Sequence, residues 1–293
     1  MTSNPIARIR RFNRAVTSQI GALDQSFLGR GRPLGVARVL HAIGHFGSDV
    51  SIIRTRLNLD KAVLSRHLKV LEDEGLIRFA IDPKDARKRH AVFTIEGERE
   101  FAAYNALSDA HAESLLAQYP RPDALLAAMD LVASALTADQ LEIILCDPQS
   151  PEAVYCLENY YTELSQRLER GFDVSLSCDP EAKDMTPPRG GFFVAHSDGL
   201  AQGCCGLKGT NKGYGEIKRL WVAPSARGLG LAQNLLEACE AQAKSLGTTL
   251  LRLDTNSALL EAARLYEKSG WTQIERFNAD PYPDLFFEKK LQI

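Results

Sequence analysis

Residues 216–232 read EIKRLWVAPSARGLGLA, and this stretch decides the fold of the second half of the chain. Its first seven residues have the composition of a β-strand, and Pro224 ends that strand. Gly228 and Gly230 follow, near the start of a helix that the periodicity predicts over Ser225–Leu246. Glycines placed there leave backbone N–H groups uncovered at a helix N-terminus, where oriented amides and the helix dipole bind pyrophosphate. The sequence therefore predicts an anion-binding loop at Arg227–Ala232.

The position of this loop in the chain separates it from another glycine-rich nucleotide site. A Rossmann site needs G-x-G-x-x-G early in a βαβ unit, with an acidic residue ~20 positions later. Here the loop comes late and reads GLGLA, which disfavours a nicotinamide site. The loop fits the pattern (Q/R)-x-x-G-x-(G/A) instead.

Two segments around the loop, EIKRLWVAP at 216–224 and AARLYEKSGW at 262–271, resemble the two halves of the GNAT N-acetyltransferase core. The resemblance covers about residues 141–293. It implies an α/β fold with a mixed, splayed sheet wrapped by helices, and acetyl-CoA as co-substrate between two parting strands. Loop amides would hold the pyrophosphate, and the preceding strand edge would pair with the pantetheine arm. The cofactor-binding residues so implied are Leu220, Trp221, Val222, Arg227, Gly228, Leu229, Gly230, Leu231 and Ala232.

The resemblance also implies the catalytic residues. Tyr266 lies where these enzymes keep a phenol near the CoA sulfur, and a phenol with a pKa of about 10 can protonate the departing thiolate. The alternative is that Tyr266 is an aromatic residue of the core. Glu216 is the candidate general base, acting through water on the substrate ammonium, and its alternative role is a structural ion pair with Lys218 or Arg219.

One position departs from the family pattern. Many relatives carry an asparagine three residues before the alanine that corresponds to Ala262, and here that residue is Leu259. Asn256 is therefore left outside the predicted site. Since no cysteine stands at a motif position, the predicted reaction is direct attack of a primary amine in a ternary complex, without a covalent acetyl-enzyme.

The front of the chain has the order of elements of a winged helix–turn–helix. Between Val50 and Gly97 the periodicity predicts two helices separated by a short turn, then two strands around a basic loop. In Lys61–Glu74 the leucines 64, 68 and 71 form one stripe, which leaves small and cationic residues on the opposite face. Such a face suits a major groove, and the basic loop Pro83–Arg89 suits a minor groove. The alternative is a solvated charged helix beside an exposed turn.

The loop and its flanks resemble the MarR transcription factors through a D-P-x-D-x-R…T-x-x-G pattern at Asp82, Pro83, Asp85, Arg87, Thr94 and Gly97. The preceding LSRHLKVLEDEGLI resembles their recognition helix. The resemblance covers about residues 5–137 and implies a double-stranded DNA operator as partner, and a homodimer held by helices over Ile6–Leu28 and Glu98–Leu136. The DNA-binding residues so implied are Lys61, Ser65, Arg66, His67, Lys69 and Arg87.

His41 and His45, one helical turn apart, could ligate zinc as in some metal-sensing relatives. No acidic or cysteine partner is evident nearby in the sequence, so packing is the preferred interpretation and no metal is predicted. All six cysteines lie at or beyond Cys146 and form no C-x-x-C pair. They are therefore predicted to be buried thiols in a reducing compartment.

Length and charge agree with two domains, which we place at 1–138 and 141–293 with the boundary at 137–141. Residues 1–100 hold 18 Lys and Arg against 11 Asp and Glu, whereas the rest holds 17 against 26. A basic front on an acidic back is expected if only the front meets a polyanion. No run of ~18 apolar residues and no signal peptide is found, so we expect a cytoplasmic protein without a membrane partner.

Together these patterns predict a bifunctional chain, a transcriptional regulator joined to an acetyl-CoA-dependent N-acetyltransferase. Two alternatives stay open at this point. The acetyltransferase-like half could be a non-catalytic module that senses CoA or an amine for a repressor. The front half could instead be a dimerisation scaffold for a simple enzyme.

Overall fold

The computed structural model describes residues 4–46, 49–81, 89–176 and 182–292 of the 293-residue chain. Its contacts divide the chain into a first unit, Met1–Pro122, and a second unit, Asp123–Ile293. This division falls before 137–141, because the helix that precedes that segment packs with the second unit. The domain boundary at 137–141 stays a prediction, and the contacts place the division between the two units after Pro122. No helix in the described ranges is long and apolar enough to cross a membrane.

The first unit is mostly helical, with a small antiparallel sheet of two strands. The sheet pairs Ile77 with Phe93 and Ile81 with Arg89. The elements are α1 (Pro5–Gln19), α2 (Leu34–Phe46), α3 (Val50–Arg56), α4 (Lys61–Asp73), β1 (Ile77–Ile81), β2 (Arg89–Phe93) and α5 (Ile95–Gln118). The core is built from apolar residues of α2, α3, α4 and the sheet, together with Tyr104 of α5.

The predicted helix over Ile6–Leu28 is shorter than expected. It ends at Gln19, and Gly21 follows with φ 61°, a left-handed conformation that favours glycine and stops a helix. No residue of α1 is buried, although the whole helix is described. Its apolar stripe, which includes Ile6 and Ile9 at 59% and 61% exposed, faces outward in the single chain.

The T-x-x-G motif has a structural explanation at the start of α5. Thr94 is the N-cap: its hydroxyl accepts the N–H of Gly97 at 3.1 Å and donates to the carbonyl of Gly75 at 2.7 Å. A Cβ at Gly97 would lie 1.9 Å from the carbonyl oxygen of Leu76. Only glycine therefore allows α5 to approach the segment that leads into β1.

The second unit is an α/β structure around one mixed sheet. Its elements are α6 (Pro122–Leu136), β3 (Glu142–Cys146), α7 (Pro151–Arg167), β4 (Gly191–Ser197), β5 (Leu200–Gly209), β6 (Gly215–Val222), α8 (Leu231–Ser245), β7 (Leu250–Thr255), α9 (Leu260–Lys268), β8 (Thr272–Ile274) and β9 (Leu285–Lys290). Over the described residues the strand order is β3-β4-β5-β6-β7-β9-β8, and β6 and β7 are parallel. β8 is a short edge strand that the sequence patterns did not predict.

The helices α7 and α8 cover opposite faces of this sheet. The adjacent Cys204 and Cys205 of β5 show the alternation, since Cys204 packs with Cys156 of α7 and Cys205 with Cys239 of α8. All four are buried and form no disulfide, as predicted, whereas Cys146 of β3 is only half-buried and departs from the prediction. Cys178 lies outside the described residues.

The strands β6 and β7 part soon after they meet. Their parallel register spans only Gly215–Ile217 against Leu251–Leu253. On its other edge, β6 shifts register against β5 between Cys204 and Gly206, and Arg219 there has a φ of 56°. Such a bulge bends the strand. The edge of β6 beyond Ile217 is therefore not paired with β7, and a cavity opens between them.

Candidate functional site

The loop after β6 leaves its backbone amides open, as the sequence predicts. Gly228 and Gly230 have φ values of 78° and 83°, which favour glycine. The helix α8 begins directly after them at Leu231, not at Ser225 as expected, because left-handed residues cannot continue a helix. No side chain caps this N-terminus, and an added Cβ at either glycine would meet no described atom within 4 Å. The first-turn N–H groups and the helix dipole therefore point at open space that an anion can enter.

Glu163 of α7 fixes the base of this loop. Its carboxylate accepts hydrogen bonds from Arg227 Nη2 at 2.6 Å, from Trp221 Nε1 at 3.1 Å and from Arg167 Nη1 at 3.1 Å. Arg227 Nε also donates to the carbonyl of Val222 at 3.0 Å. Burial alone would raise the pKa of Glu163, but its hydrogen bonds to the two arginines hold that pKa below its usual value. The Arg227 side chain is thus tied to α7 and to the end of β6.

A cavity of about 110 Å³ lies where β6 and β7 separate. One wall is aromatic and the other is polar and charged. The residues used below are Tyr160, Tyr161, Phe172, Lys218, Arg219, Asp254, Asn256, Tyr266, Asp280 and Tyr282. They come from α7, the segment after it, both parting strands, α9 and the loop before β9.

Tyr266 of α9 lines this cavity and is 5% exposed. Its ring packs against Trp271 and Phe287 at centroid distances of 6.2 Å and 5.7 Å. Burial raises the pKa of the phenol well above 10, and the neighbouring Cys205 raises it further. The hydroxyl therefore stays protonated at neutral pH, so it is able to donate a proton into the cavity. The ring is at the same time part of the core.

A buried ion pair stands on the polar wall. Lys218 Nζ contacts Asp254 Oδ2 at 2.5 Å, and Asn278 Nδ2 donates to the same oxygen at 2.5 Å. Burial alone would lower the pKa of Lys218, but the charge of Asp254 and the hydrogen bond to it raise that pKa above its usual value. Glu216 lies 3.7 Å from Lys218 Nζ and is not among the described residues that line the cavity.

The aromatic wall is continuous. Tyr161 stacks on Phe172 at 5.5 Å, and Phe172 contacts Tyr282 at 4.7 Å between ring centroids. Asp280, 8% exposed, also lines the cavity, and one of its carboxylate oxygens accepts the N–H of Tyr282 at 3.2 Å. The cavity therefore combines an aromatic surface with side chains of both charges, since Lys208, Lys218 and Arg219 line it together with Asp254 and Asp280.

In the first unit, α4 has the two faces that the sequence predicts. Leu64, Leu68 and Leu71 are buried. The exposed residues of the helix include Lys61, Ser65, Arg66 and Lys69. Lys69 pairs with Asp73 at 3.6 Å across one helical turn. The polar side of α4 is therefore available to a ligand along its whole length.

The structure places His67 differently from the other predicted DNA contacts, and it does not describe Arg87. His67 is half-buried beside Gly35 of α2, where a Cβ would lie 3.0 Å from its Nε2. Burial lowers the pKa of His67, and the charge of Arg66 lowers it further. This imidazole therefore sits on the α2 side of the helix. Arg87 and most of the basic loop lie outside the described residues, whereas Arg89 stands 3.9 Å over the ring of Phe79.

Comparisons with known proteins agree with this geometry. The sequence matches the acetyltransferase (GNAT) family over residues 155–271 and the MarR family over residues 30–88. An IAA acetyltransferase of Azospirillum brasilense is 39% identical over 105 residues, which are 34% of this chain and 67% of that protein.

The chain belongs to the GNAT acetyltransferase family.

An uncharacterised N-acetyltransferase of Schizosaccharomyces pombe is 35% identical over 34% of this chain and 63% of its own length. A solved GNAT-family acetyltransferase of Staphylococcus aureus Mu50 is 18% identical, with a TM-score of 0.46, over 52% of this chain and 99% of that one. The GNAT domain here follows a MarR-like winged helix–turn–helix in the same chain, so the predicted fusion and the predicted fold class are confirmed.

The structure brings some predicted residues of the GNAT domain together and separates others. Leu220 and Tyr266 share the cavity, and the loop Arg227–Ala232 begins a few residues beyond the same strand. Glu216 stands apart, in the ion pair that sequence analysis gave as its alternative role. Its role as a base stays a prediction.

Several residues of the GNAT site were missed from the sequence. Asp254 ends a buried strand, which is a position where a charged side chain signals a site. Asn256, set aside because the family pattern was broken, lines the cavity and donates to the carbonyl of Tyr282 at 2.7 Å. Glu163 gives no local signal, because nothing in the sequence of α7 distinguishes it from other surface glutamates.

Of the two histidines of α2, the structure describes the side chain of His41. His41 contacts the ring of Phe101 at 5.9 Å between centroids, while the side chain of His45 lies outside the described part of the structure. Among the described residues, no three His, Cys, Asp or Glu side chains are grouped so that they could hold a metal ion.

Proposed function

We propose that this chain transfers the acetyl group of acetyl-CoA to a primary amine by direct attack in a ternary complex. We also propose that it binds a double-stranded DNA operator as a homodimer. The observation on which the enzymatic proposal rests is the parting of β6 and β7, with an open-amide loop nearby and a protonated phenol in the cavity between them.

Acetyl-CoA, when bound, supplies the acetyl group as a thioester. The amides of Gly228–Ala232 would hold its pyrophosphate, since they are uncovered and sit at the positive end of α8. The edge of Leu220–Val222 is free of β7 and would hydrogen-bond the pantetheine arm as an added strand. Arg227 would stand at the side of the loop, held there by Glu163.

The reaction forms a C–N bond, breaks the C–S bond, removes a proton from the amine and returns one to sulfur. Tyr266 would protonate the departing thiolate. Of the two candidate carboxylates, the cavity position favours Asp254 as the group that receives the amine proton, directly or through water. Glu216, predicted as the base, contacts Lys218 and would influence the proton transfer through that ion pair.

The acceptor would be a primary amine with an apolar or aromatic body. Tyr161, Phe172 and Tyr282 offer a continuous aromatic surface to such a body. Asp280 offers a nearly buried carboxylate to its ammonium group.

The DNA-binding proposal rests on the exposed basic side of α4 with Arg66 and Lys69, and on the adjacent basic loop with Arg87. The dimer proposal rests on α1, whose apolar stripe is uncovered in the single chain, together with α5 and α6 as the sequence predicts. An apolar stripe of this length on a helix with no buried residue normally packs on a partner.

A second candidate function is favoured by one observation: Glu216, the predicted base, is not among the described residues that line the cavity. If Asp254, held in its ion pair with Lys218, does not accept the proton either, the GNAT domain would bind CoA or an amine without turnover and act as a sensor for the DNA-binding part.

One experiment separates these functions. Release of CoA thiol from acetyl-CoA is measured across amino acids, polyamines, aminoglycosides and peptides, and binding of acetyl-CoA is titrated in parallel. Turnover on any amine excludes the sensor, whereas tight binding without turnover excludes the enzyme. Salt-sensitive, sequence-selective DNA binding of the same preparation excludes a front half that is only a dimerisation scaffold.

A further inference from the structure

A second, larger cavity of about 630 Å³ lies in the second unit. It is bounded by α6, the start of α7, the turn between β4 and β5, and the end of β6. The two cavities share none of the described residues that line them. Its volume is in the range of ~300–1,000 Å³ that pockets for small molecules have. It is therefore a separate candidate site, lined by a single one of the proposed cofactor-binding residues, Trp221.

The wall formed by α6 is fixed to the sheet. Ser134 donates to Gln202 Oε1 at 3.4 Å, and the hydroxyls of Thr137 and Ser197 are 2.7 Å apart. Both contacts join α6, or the residue after it, to the β4–β5 hairpin. The wall that α6 forms is consequently held against the sheet.

Two aromatic rings and several apolar side chains line this cavity, and Tyr155 is itself 51% exposed. Tyr155 and Trp221 meet edge to face, with ring centroids 6.5 Å apart. Leu131 and Leu200 stand on the rim and are 55% and 65% exposed. Large apolar side chains this exposed around one cavity indicate a surface that a ligand can cover.

The charge of the cavity has a single sign. Asp130 of α6 and Glu152 of α7 line it, and among the described lining residues there is no Lys, Arg or His. A cation in this cavity is attracted by the two carboxylates through their charge and by the tryptophan and tyrosine through the faces of their rings. A neutral aromatic molecule would gain only the apolar contact, and an anion would be repelled.

We propose that this cavity binds an organic cation, an alkyl- or arylammonium ion whose apolar body lies against Tyr155 and Trp221 and whose charge lies near Asp130 and Glu152. This site goes beyond the proposed acetyl transfer, since a ligand there does not need a transferable N–H.

The test uses benzyltrimethylammonium as the probe, because its quaternary nitrogen has no N–H and cannot accept an acetyl group. Its binding to the full chain is measured by titration calorimetry, with benzyl alcohol as the uncharged comparison. We expect one site per chain and affinity at least about tenfold higher than that of benzyl alcohol.

Two independent variants remove the site in different ways. The double variant Asp130→Asn with Glu152→Gln removes the charges, and Ala127→Trp fills the cavity, where Ala127 is one of the lining residues. Each should weaken binding about tenfold or more. Glu158→Gln, an exposed glutamate of α7 that lines neither cavity, is the matched control and should change nothing.

Several outcomes would overturn the proposal. One is a wild-type chain that does not bind the probe, and another is equal binding by the wild type and both variants. Loss of binding in Asp280→Asn alone would assign the probe to the first cavity instead. Absence of binding together with a changed dimer equilibrium in Ala127→Trp would assign this face to a partner chain. Because the probe is not acetylated, none of these results depends on whether the chain turns over acetyl-CoA.

Discussion

Replacing Tyr266 by phenylalanine tests the proposed acid most directly. The change removes one hydroxyl and keeps the ring, whose contacts with Trp271 and Phe287 do not involve that oxygen. Folding and acetyl-CoA affinity should therefore change little, while the proton donor is lost. A positioned acid contributes ~10²–10⁴ in rate, or roughly 3–5 kcal/mol of barrier.

The structure favours the lower end of that range. Burial raises the pKa of Tyr266 well above its usual value, so the phenol is a weaker acid than tyrosine in water. Proton transfer from it to a thiolate, whose conjugate thiol has a pKa of about 8.5, costs free energy, and the raised pKa of the phenol increases that cost. We expect kcat to fall about 100-fold, or ~3 kcal/mol, at nearly constant affinity for acetyl-CoA.

The sign of this pKa shift also fixes the pH dependence. A raised pKa keeps the phenol protonated to higher pH, so any loss of proton donation by Tyr266 occurs above pH ~10. An alkaline limb seen below that value belongs to another group, and it should be the same in the wild type and in Tyr266→Phe.

The assay follows thiol release against pH, with acetyl-CoA affinity measured separately by calorimetry. Tyr214→Phe is the matched control, because Tyr214 is also a buried tyrosine but lies outside the cavity. Its kcat should stay within about twofold of the wild type. A Tyr266→Phe enzyme with wild-type kcat would show that water or substrate protonates the thiolate. An equal fall in kcat and in acetyl-CoA affinity would show a structural role instead.

Three further predictions concern the loop, the base and the DNA face. Gly230→Glu should weaken acetyl-CoA binding about tenfold or more, because a side chain and a charge then occupy the space where the pyrophosphate meets the amides. Calorimetry is repeated on Gly247→Glu, in which a glycine with a similar positive φ after α8 is replaced. This control separates the loss of the binding space from the effect of backbone strain. Asp254→Asn should lower kcat for thiol release about 100-fold, while Glu216→Gln should lower it less. Arg66→Ala should weaken operator binding and reduce the salt dependence by about one ion in a fluorescence titration.

The same measurements can also contradict these three predictions. Equal loss of binding in the two glycine variants would attribute the effect to backbone strain. A larger kcat loss in Glu216→Gln than in Asp254→Asn would restore Glu216 as the base. For the DNA face, Arg99→Ala, an exposed arginine of α5 paired with Glu96, should leave operator affinity unchanged. Unchanged affinity in both Arg66→Ala and Arg87→Ala would remove α4 and its loop from the interface.

Local spacing was enough to predict the parts of the site that lie within one segment. The pattern at 227–232 fixes a glycine loop and a helix start, because positive φ values and uncovered amides depend only on neighbouring residues. The leucine stripe of α4 predicts its buried face for the same reason, since helical period alone decides which side chains point together. The N-cap Thr94 and the close approach at Gly97 are likewise readable as a short motif.

The spacing of residues within one segment does not predict the contacts between residues that are far apart in the sequence. Glu163 meets Trp221 and Arg227, which lie 58 and 64 residues away, and Lys218 meets Asp254 at a separation of 36. Three features follow from the sheet order and its bulge: which carboxylates line the cavity, where β6 leaves β7, and the packing of α6 in the second unit. Those depend on pairing between distant strands, which no periodicity within one segment encodes. The sequence by itself determined the two families and their local motifs, and the tertiary structure decided which charged side chains share the cavity.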